Sequence, residues 1–246
     1  MNHTVQHMVK SAKLEGPQVY RQVTVFPITS DCGADITYIT LSEALAAELV
    51  LITEVSESGS VPELRVRNEA DVAVLIVDGE ELRGAKQNRV CNTTVLLREK
   101  STTILPVSCT EQGRWSYESP RFRDSEVMLA RNVRITKNRN VSESLASRGS
   151  YRGKQEEVWS HISELHRELG TQSPTGAMRD AFETMRRPLE ESISKFPLMP
   201  NQNGLLVCID GVPVGMDVVS RKDAYTRLHQ RFLKSYVIGS INSPST

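Results

Sequence analysis

Short apolar runs separated by dense polar patches set the rhythm of the middle of the chain. Val72–Val77, Val95–Leu97 and Ile104–Val107 are rich in β-branched and aliphatic residues and too short for helices, so they predict buried strands. Between and after them lie two patches. The first holds Glu80, Glu81, Arg83, Lys86, Gln87, Asn88, Arg89 and Asn92, and the second holds Ser108, Cys109, Glu111, Gln112, Arg114 and Trp115. Each patch follows directly on a strand, which places both at a sheet rim, where binding groups usually sit.

The flanks follow the same logic. Val19–Ile28 predicts a strand stopped by Pro27 and a turn at Ser30–Gly33, and Ile36–Ile39 a second, shorter one. Ser42 reads as an N-cap with Glu43 in the first turn of a helix through Leu49. Val50–Val55 and Leu64–Val66 predict strands around a Ser/Gly-rich turn, Ser56–Pro62. Residues 118–156 lack sustained periodicity and carry a basic run. From Arg131 to Lys154 there are seven Lys or Arg against one acid, Glu143, which predicts a solvated loop, or else a cover that brings cations to an anionic ligand.

Val158, Ile162, Leu165 and Leu169 then repeat at helical spacing up to Gly170. Ser173-Pro174 reads as the start of another helix, with Met178, Phe182 and Met185 on one face and a kink or restart at Pro188. Leu205–Val219 encloses Asp210-Gly211, a strong hairpin signal because both residues tolerate positive φ. Asp78-Gly79 reads as a similar hairpin. Ser220 with Asp223 resembles a capping box before a last helix through Ala224, Leu228 and Phe232.

The expected architecture is α+β: an antiparallel, sandwich-like β portion, C-terminal helices and a late β-hairpin. Its parts are a polar tail at 1–16 and one domain at 17–240, made of a β-rich part at 17–117, a basic loop region at 118–156 and helices with the hairpin at 157–240. Strands do not alternate with crossover helices, which disfavours a doubly wound parallel sheet.

Composition narrows the function classes only a little. With 246 residues, 39% hydrophobic and 24% charged, the chain can bury a full core. Thirty basic and thirty acidic side chains cancel, so the global charge gives no reason to expect nucleic acid or an anionic membrane. RNA binding by the 131–154 segment stays open as a local alternative. The apolar runs fall far short of a membrane span, and the first residues lack the apolar stretch of a secretory signal, so the expected setting is cytoplasmic. Cys32, Cys91, Cys109 and Cys208 form no CxxC and predict reduced, buried thiols. His3, His7, His161, His166 and His229 show no ligand spacing, so no metal is expected and these residues read as surface or capping groups.

Two motifs come close and fail. Gly79–Lys86 imitates a phosphate-binding loop, but Ala85 separates Gly84 from Lys86, Gln87 stands where a magnesium-binding hydroxyl belongs, and the continuation reads as strand. Cys109 and Arg114 imitate a cysteine-phosphatase loop one residue too short, with Thr110 to Gly113 between them. Cys109 beside Arg114 is either a thiolate or a buried thiol at a strand end.

VDGEELRGAKQNRVCNTT followed by LPVSCTEQGRWSY resembles the ARG and rhodanese-phosphatase-superfamily-associated protein domain, as do LSEAL, SVPELRV and RGSYRGKQEEVW. The resemblance runs from about Val19 to the last helix. It implies a genomic association with ADP-ribosylglycohydrolases and rhodanese or phosphatase domains, and so a place in NAD or ADP-ribose metabolism. No catalytic assignment and no cofactor come with it.

Chemistry alone therefore assigns roles. The first reading is an enzyme or sensor for a phosphorylated nucleotide such as ADP-ribose. Lys86, Arg89 and Arg114 would hold phosphates, with Gln87, Asn88 and Asn92 as further ligand contacts and Trp115 stacking on a base. Glu81 or Glu111 would act as general base or bind ribose hydroxyls, and Cys109 is the candidate nucleophile. The alternative is a non-catalytic binding or scaffold module whose polar set is a hydrogen-bonded core. The first reading expects Glu81, Lys86, Arg89, Glu111 and Arg114 to converge on one site with a surplus of positive charge.

Overall fold

The computed structural model describes residues 3–30, 36–56 and 62–242. The turn expected at Ser30–Gly33, with Cys32, and the turn at Ser56–Pro62 lie largely outside them, as do residues 1–2 of the polar tail and residues 243–246. The chain divides into two compact units, one discontinuous (Met1–Thr37 with Arg186–Thr246) and one continuous (Tyr38–Met185). The mixed α+β class with antiparallel sheets is as expected.

The discontinuous unit begins with helix α1 (His3–Ser11), where the sequence reads as a tail. Strands β1 (Lys13–Leu14) and β2 (Gln18–Tyr20) both pair antiparallel with β3 (Val23–Thr29), whose Val23 and Val25 point inward.

The continuous unit starts with β4 (Tyr38–Thr40) and helix α2 (Leu41–Ala46). The cap of α2 is Thr40 and not Ser42. Thr40 Oγ1 accepts from Glu43 N, and Glu43 Oε2 accepts from Thr40 N at 2.9 Å, a full capping box. Strands β5 (Val50–Glu54), β6 (Glu63–Asn68), β7 (Ala73–Ile76), β8 (Glu80–Gly84), β9 (Arg89–Cys91), β10 (Val95–Leu97) and β11 (Ser101–Cys109) follow. Asp78-Gly79 is not a hairpin turn. Strand β7 pairs with β10 and β4, while β8 pairs with β9 and β12 (Phe122–Met128), so the turn carries the chain from a three-stranded sheet to a six-stranded one.

The larger sheet runs β12-β8-β9-β11-β6-β5, antiparallel throughout, and curls into a half-barrel. Its apolar lining includes Val50, Ile52, Leu64, Val66, Leu82, Leu105, Val107 and Phe122, packed with Leu41 and Ala44 of α2 and Val74 and Ile76 of β7. That continuous burial is the main stabilising term of this unit.

The stretch 118–156 is not a loop. After β12 it forms helix α3 (Arg131–Arg148). Its inward positions are Val133, Thr136, Lys137, Asn140 and Val141, three of them polar, so the apolar stripe that normally betrays a helix is missing. Helix α4 (Gln155–Leu169) has the expected stripe and ends at Gly170 with φ 65°. Helix α5 (Met178–Thr184) starts later than Ser173 suggests; Ser173 instead accepts from Ala177 N at 2.8 Å. No helix among the described residues is long and apolar enough to cross a membrane.

The chain then completes the discontinuous unit. Helix α6 (Arg186–Ile193) has Pro188 in its first turn, where no intrahelical N–H is needed. Strand β13 (Gly204–Ile209) pairs with β3, and β14 (Val212–Val218) pairs with β13 across a turn in which Asp210 (φ 50°) and Gly211 (φ 74°) are both left-handed. Helix α7 (Lys222–Val237) starts after Arg221 without a side-chain cap, so the Ser220–Asp223 box does not form. It buries Leu228, Phe232 and Leu233.

Candidate functional site

Strand register decides what the polar patches can do together. Leu82 pairs with Arg89 and Arg89 with Cys109, while Glu81 pairs with Val90 and Val90 with Ser108. Directly opposed residues share a face, so Arg89 and Cys109 lie on one side of the sheet and Glu81 on the other. Leu82 is part of the apolar lining, which puts Arg89 and Cys109 on the inner face of the half-barrel. Of the five residues expected to converge, register therefore parts Glu81 from Arg89.

On the inner face, Arg89 is fully buried. Its Nη1 donates to Gln87 Oε1 at 2.7 Å and to the Cys109 sulfur, and the guanidinium lies 5.5 Å from the Trp115 ring centre. Its counter-ion is Glu54, which the sequence reading does not single out, at 3.7 Å from Nη2. Neither Glu54 oxygen has a hydrogen-bond partner, nor do Nε and Nη2 of Arg89. Burial pushes the Cys109 thiol up to about 11, with Arg89 pulling the other way. At neutral pH such a group is a thiol, and Cys109 also sits in the ladder with its N–H and C=O both held by Gln155, at 2.7 and 2.8 Å.

On the opposite face, Glu81 is buried and accepts from Thr110 Oγ1 at 2.6 Å and Ser125 Oγ at 2.5 Å. Desolvation raises it to about 7 against the pull of both hydroxyls and of Arg179. Ser108 on the same face donates to Asn92 Oδ1 at 2.8 Å, and Asn92 Nδ2 reaches the Tyr151 carbonyl at 3.0 Å.

At the rim, Glu111 and Arg114 close a clamp. Arg114 Nε lies 3.0 Å from both Glu111 oxygens, Nη2 reaches Glu111 Oε2 at 2.7 Å and Asn88 Oδ1 at 3.2 Å, and Nη1 reaches the carbonyls of Ala85 at 2.7 Å and Ser116 at 3.0 Å. Glu111 also accepts from Asn88 N and Thr175 Oγ1. Lys86 lies outside this clamp, 5.4 Å from the Trp115 ring centre and 5.1 Å from that of Tyr117, two rings about half exposed.

The basic run does send cations to the first patch, but onto a carboxylate. Lys137 of α3 is fully buried, donates to Asp78 and reaches the carbonyls of Cys91 at 3.0 Å and Asn92 at 3.1 Å. Arg134 lies 3.3 Å from Asp78. Desolvation lowers the Lys137 pKa, and Asp78 opposes it.

The model of the ARG and Rhodanese-Phosphatase-superfamily-associated Protein domain matches residues 11–246. The chain belongs to this family. No curated protein and no solved structure matches it.

In this member of the family, glycines in the shared motif have steric reasons. A Cβ on Gly84, at φ +121°, would lie 2.6 Å from Ser119 Oγ and 2.8 Å from the Arg121 carbonyl; one on Gly113 would lie 3.0 Å from Thr175 Cα. Two of the three expected cations are neutralised. Arg89 has Glu54, and Arg114 has Glu111 with Glu118 at 3.6 Å. Among the described residues, no group of three or more His, Cys, Asp or Glu is placed to hold a metal ion.

His166 and His229, read as surface or capping groups, are both buried and hydrogen-bonded on both ring nitrogens. A half-open cleft of about 620 Å³ lies elsewhere in the continuous unit, between α2, β5 and β12, and none of the candidate residues lines it.

Proposed function

We propose that the chain is a non-catalytic binding or scaffold module, with the shared polar motif as its hydrogen-bonded core. The observation that carries this reading is the saturation of Arg114. All three of its nitrogens are engaged by Glu111, Asn88 and the carbonyls of Ala85 and Ser116, which leaves no donor aimed outward for a phosphate. Arg114→Ala tests it. Glu111 is buried and would lose its counter-ion, so the variant should melt well below the wild type, by a margin matching roughly 2–4 kcal/mol. A variant that keeps its melting point while losing affinity for a ligand would sink the proposal.

One observation favours the nucleotide reading. Trp115 and Tyr117 are about half exposed with Lys86 beside both rings, a stacking surface next to a cation. Under that reading the chain is an enzyme or sensor of ADP-ribose or a related nucleotide in the cytoplasm. NAD or ADP-ribose should then raise the melting point of the wild type and not of Trp115→Ala.

A further inference from the structure

The curled six-stranded sheet has two free ends, β5 and β12, and the half-open cleft of about 620 Å³ lies between them. Val50, Leu51 and Ile52 line one side of it and Phe122, Arg123 and Asp124 another, with Leu45 and Ala46 of α2 beside them. Its size falls in the range of ligand sites, about 300–1,000 Å³.

The two edges differ. Strand β12 is blunted: its ladder with β8 shifts after Asp124, Glu126 is left-handed at φ 60°, and the Asp124 carboxylate accepts from Glu126 N at 2.9 Å. Strand β5 has no bulge, proline or lysine, and its pairing with β6 is unbroken. Bonded and non-bonded pairs alternate along an antiparallel ladder. Glu69 N donates to Leu49 O at 2.8 Å, so the bonds to β6 fall to Leu49, Leu51 and Thr53. The N–H and C=O of Val50 and Ile52 therefore project from the free edge, and no described residue pairs with them.

Charge gives the cleft a direction. Five antiparallel pairings separate β12 from β5, so the two strands run in opposite senses. Glu48, just before β5, and Glu126, late in β12, lie toward one end; Arg121 and Arg123, early in β12, lie toward the other. All four are exposed and form no ion pair among the described residues. Arg123 also stands directly opposite Arg83, a like-charge pairing in which Arg83 alone has a carboxylate, Glu118 at 2.9 Å. The remaining charged pair in the cleft, Arg67 with Glu69, is closed at 2.5 Å.

We infer that the cleft docks an extended peptide segment of a partner protein, which adds a strand to the β5 edge with an acidic residue over Arg121 and Arg123 and a basic residue over Glu48 and Glu126. An extended chain repeats its backbone donors and acceptors every second residue, the period at which Val50 and Ile52 present theirs. Antiparallel addition is the stronger pairing, and it puts the acidic residue first in the peptide and the basic residue last. The cleft shares no residue with the polar motif, so this inference and the reading of Arg114 stand or fall separately.

Fluorescence polarisation with a labelled, end-blocked heptapeptide, EVTVTVK, and the full chain tests the groove. The peptide should bind saturably, and KVTVTVE should bind at least about fivefold more weakly. Methylating one of the two alternate sets of peptide nitrogens should abolish binding, because one set faces β5. Arg123→Glu, at an exposed position, should keep the melting point of the wild type, weaken EVTVTVK at least about fivefold and bind KVTVTVK better than EVTVTVK. Absence of saturable binding up to about 1 mM, equal affinity for the two charge orders, or tolerance of both methylated sets overturns the inference. Sedimentation of the protein alone covers the other occupant: a dimer that Arg123→Glu disperses assigns the edge to a second copy and likewise ends it.

Discussion

The buried pair of Arg89 and Glu54 makes a sharp quantitative prediction. Its side chains are 0% and 4% exposed, and the closest approach is 3.7 Å, beyond hydrogen-bond range. At an effective dielectric of 20, charges at that separation attract by roughly 4 kcal/mol. Desolvation costs several kcal/mol for each ion, and here neither carboxylate oxygen is compensated by a hydrogen bond. The pair is therefore a net burden that is dangerous only when half removed. Glu54→Leu alone should cost about 3–5 kcal/mol, because Arg89 would stay charged and buried, and Arg89→Met alone should cost a similar amount. The double variant should lie within about 1 kcal/mol of wild type or be more stable, the loss of the Gln87 contact offsetting part of the gain. Urea unfolding followed by tryptophan fluorescence suits the test, since the chain's two tryptophans, Trp115 and Trp159, both belong to the continuous unit. The reasoning fails if Glu54→Leu costs less than about 1 kcal/mol, or if the double variant is less stable than either single one.

Three further outcomes follow from the same contacts. Glu81 has a folded pKa raised to about 7 from 4.5, so its stabilising contribution is complete below about pH 4.5 and is lost as pH rises through 7. The stability of wild type relative to Glu81→Gln should fall by roughly 3 kcal/mol across that window in paired urea titrations, and a flat difference would refute the shift. Lys137→Met should destabilise the continuous unit by roughly 2–4 kcal/mol in the fluorescence assay, because Asp78 keeps only Arg134 and Asn138 and two buried carbonyls lose their donor. Gly84→Ala should cost more than about 2 kcal/mol by thermal melting, and Ser119→Ala should not rescue it, since the Arg121 carbonyl lies 2.8 Å from the new Cβ.

Much of this fold is written in short-range signals. The β-branched runs, the Asp210-Gly211 turn and the Leu stripe of α4 ending at Gly170 each carry their own local cause, and each forms the element it suggests. What escaped depends on partners distant in sequence. Helix α3 turns Thr136, Lys137 and Asn140 inward, and nothing local says that Lys137 will meet Asp78. The split of the polar motif is a matter of register: one residue separates Leu82, opposite Arg89, from Glu81, opposite Val90. A count of charges within the two patches misses Glu54, although its position was readable. Val50, Ile52 and Glu54 alternate along one strand, which places a carboxylate on the buried face.

The discontinuous unit also imposes an order on biosynthesis. Ser30 hydrogen-bonds to Asn203, 173 residues later, and β3 finds its partner β13 only after the whole of Tyr38–Met185 has left the ribosome. Until then Val23, Val25 and Ile28 form an unpaired, β-branched edge, the kind of surface that nascent chains aggregate through. A chain cut short before Gly204 can complete the central unit yet leaves that edge without a mate, so damage near the carboxyl terminus is felt first by the residues made first.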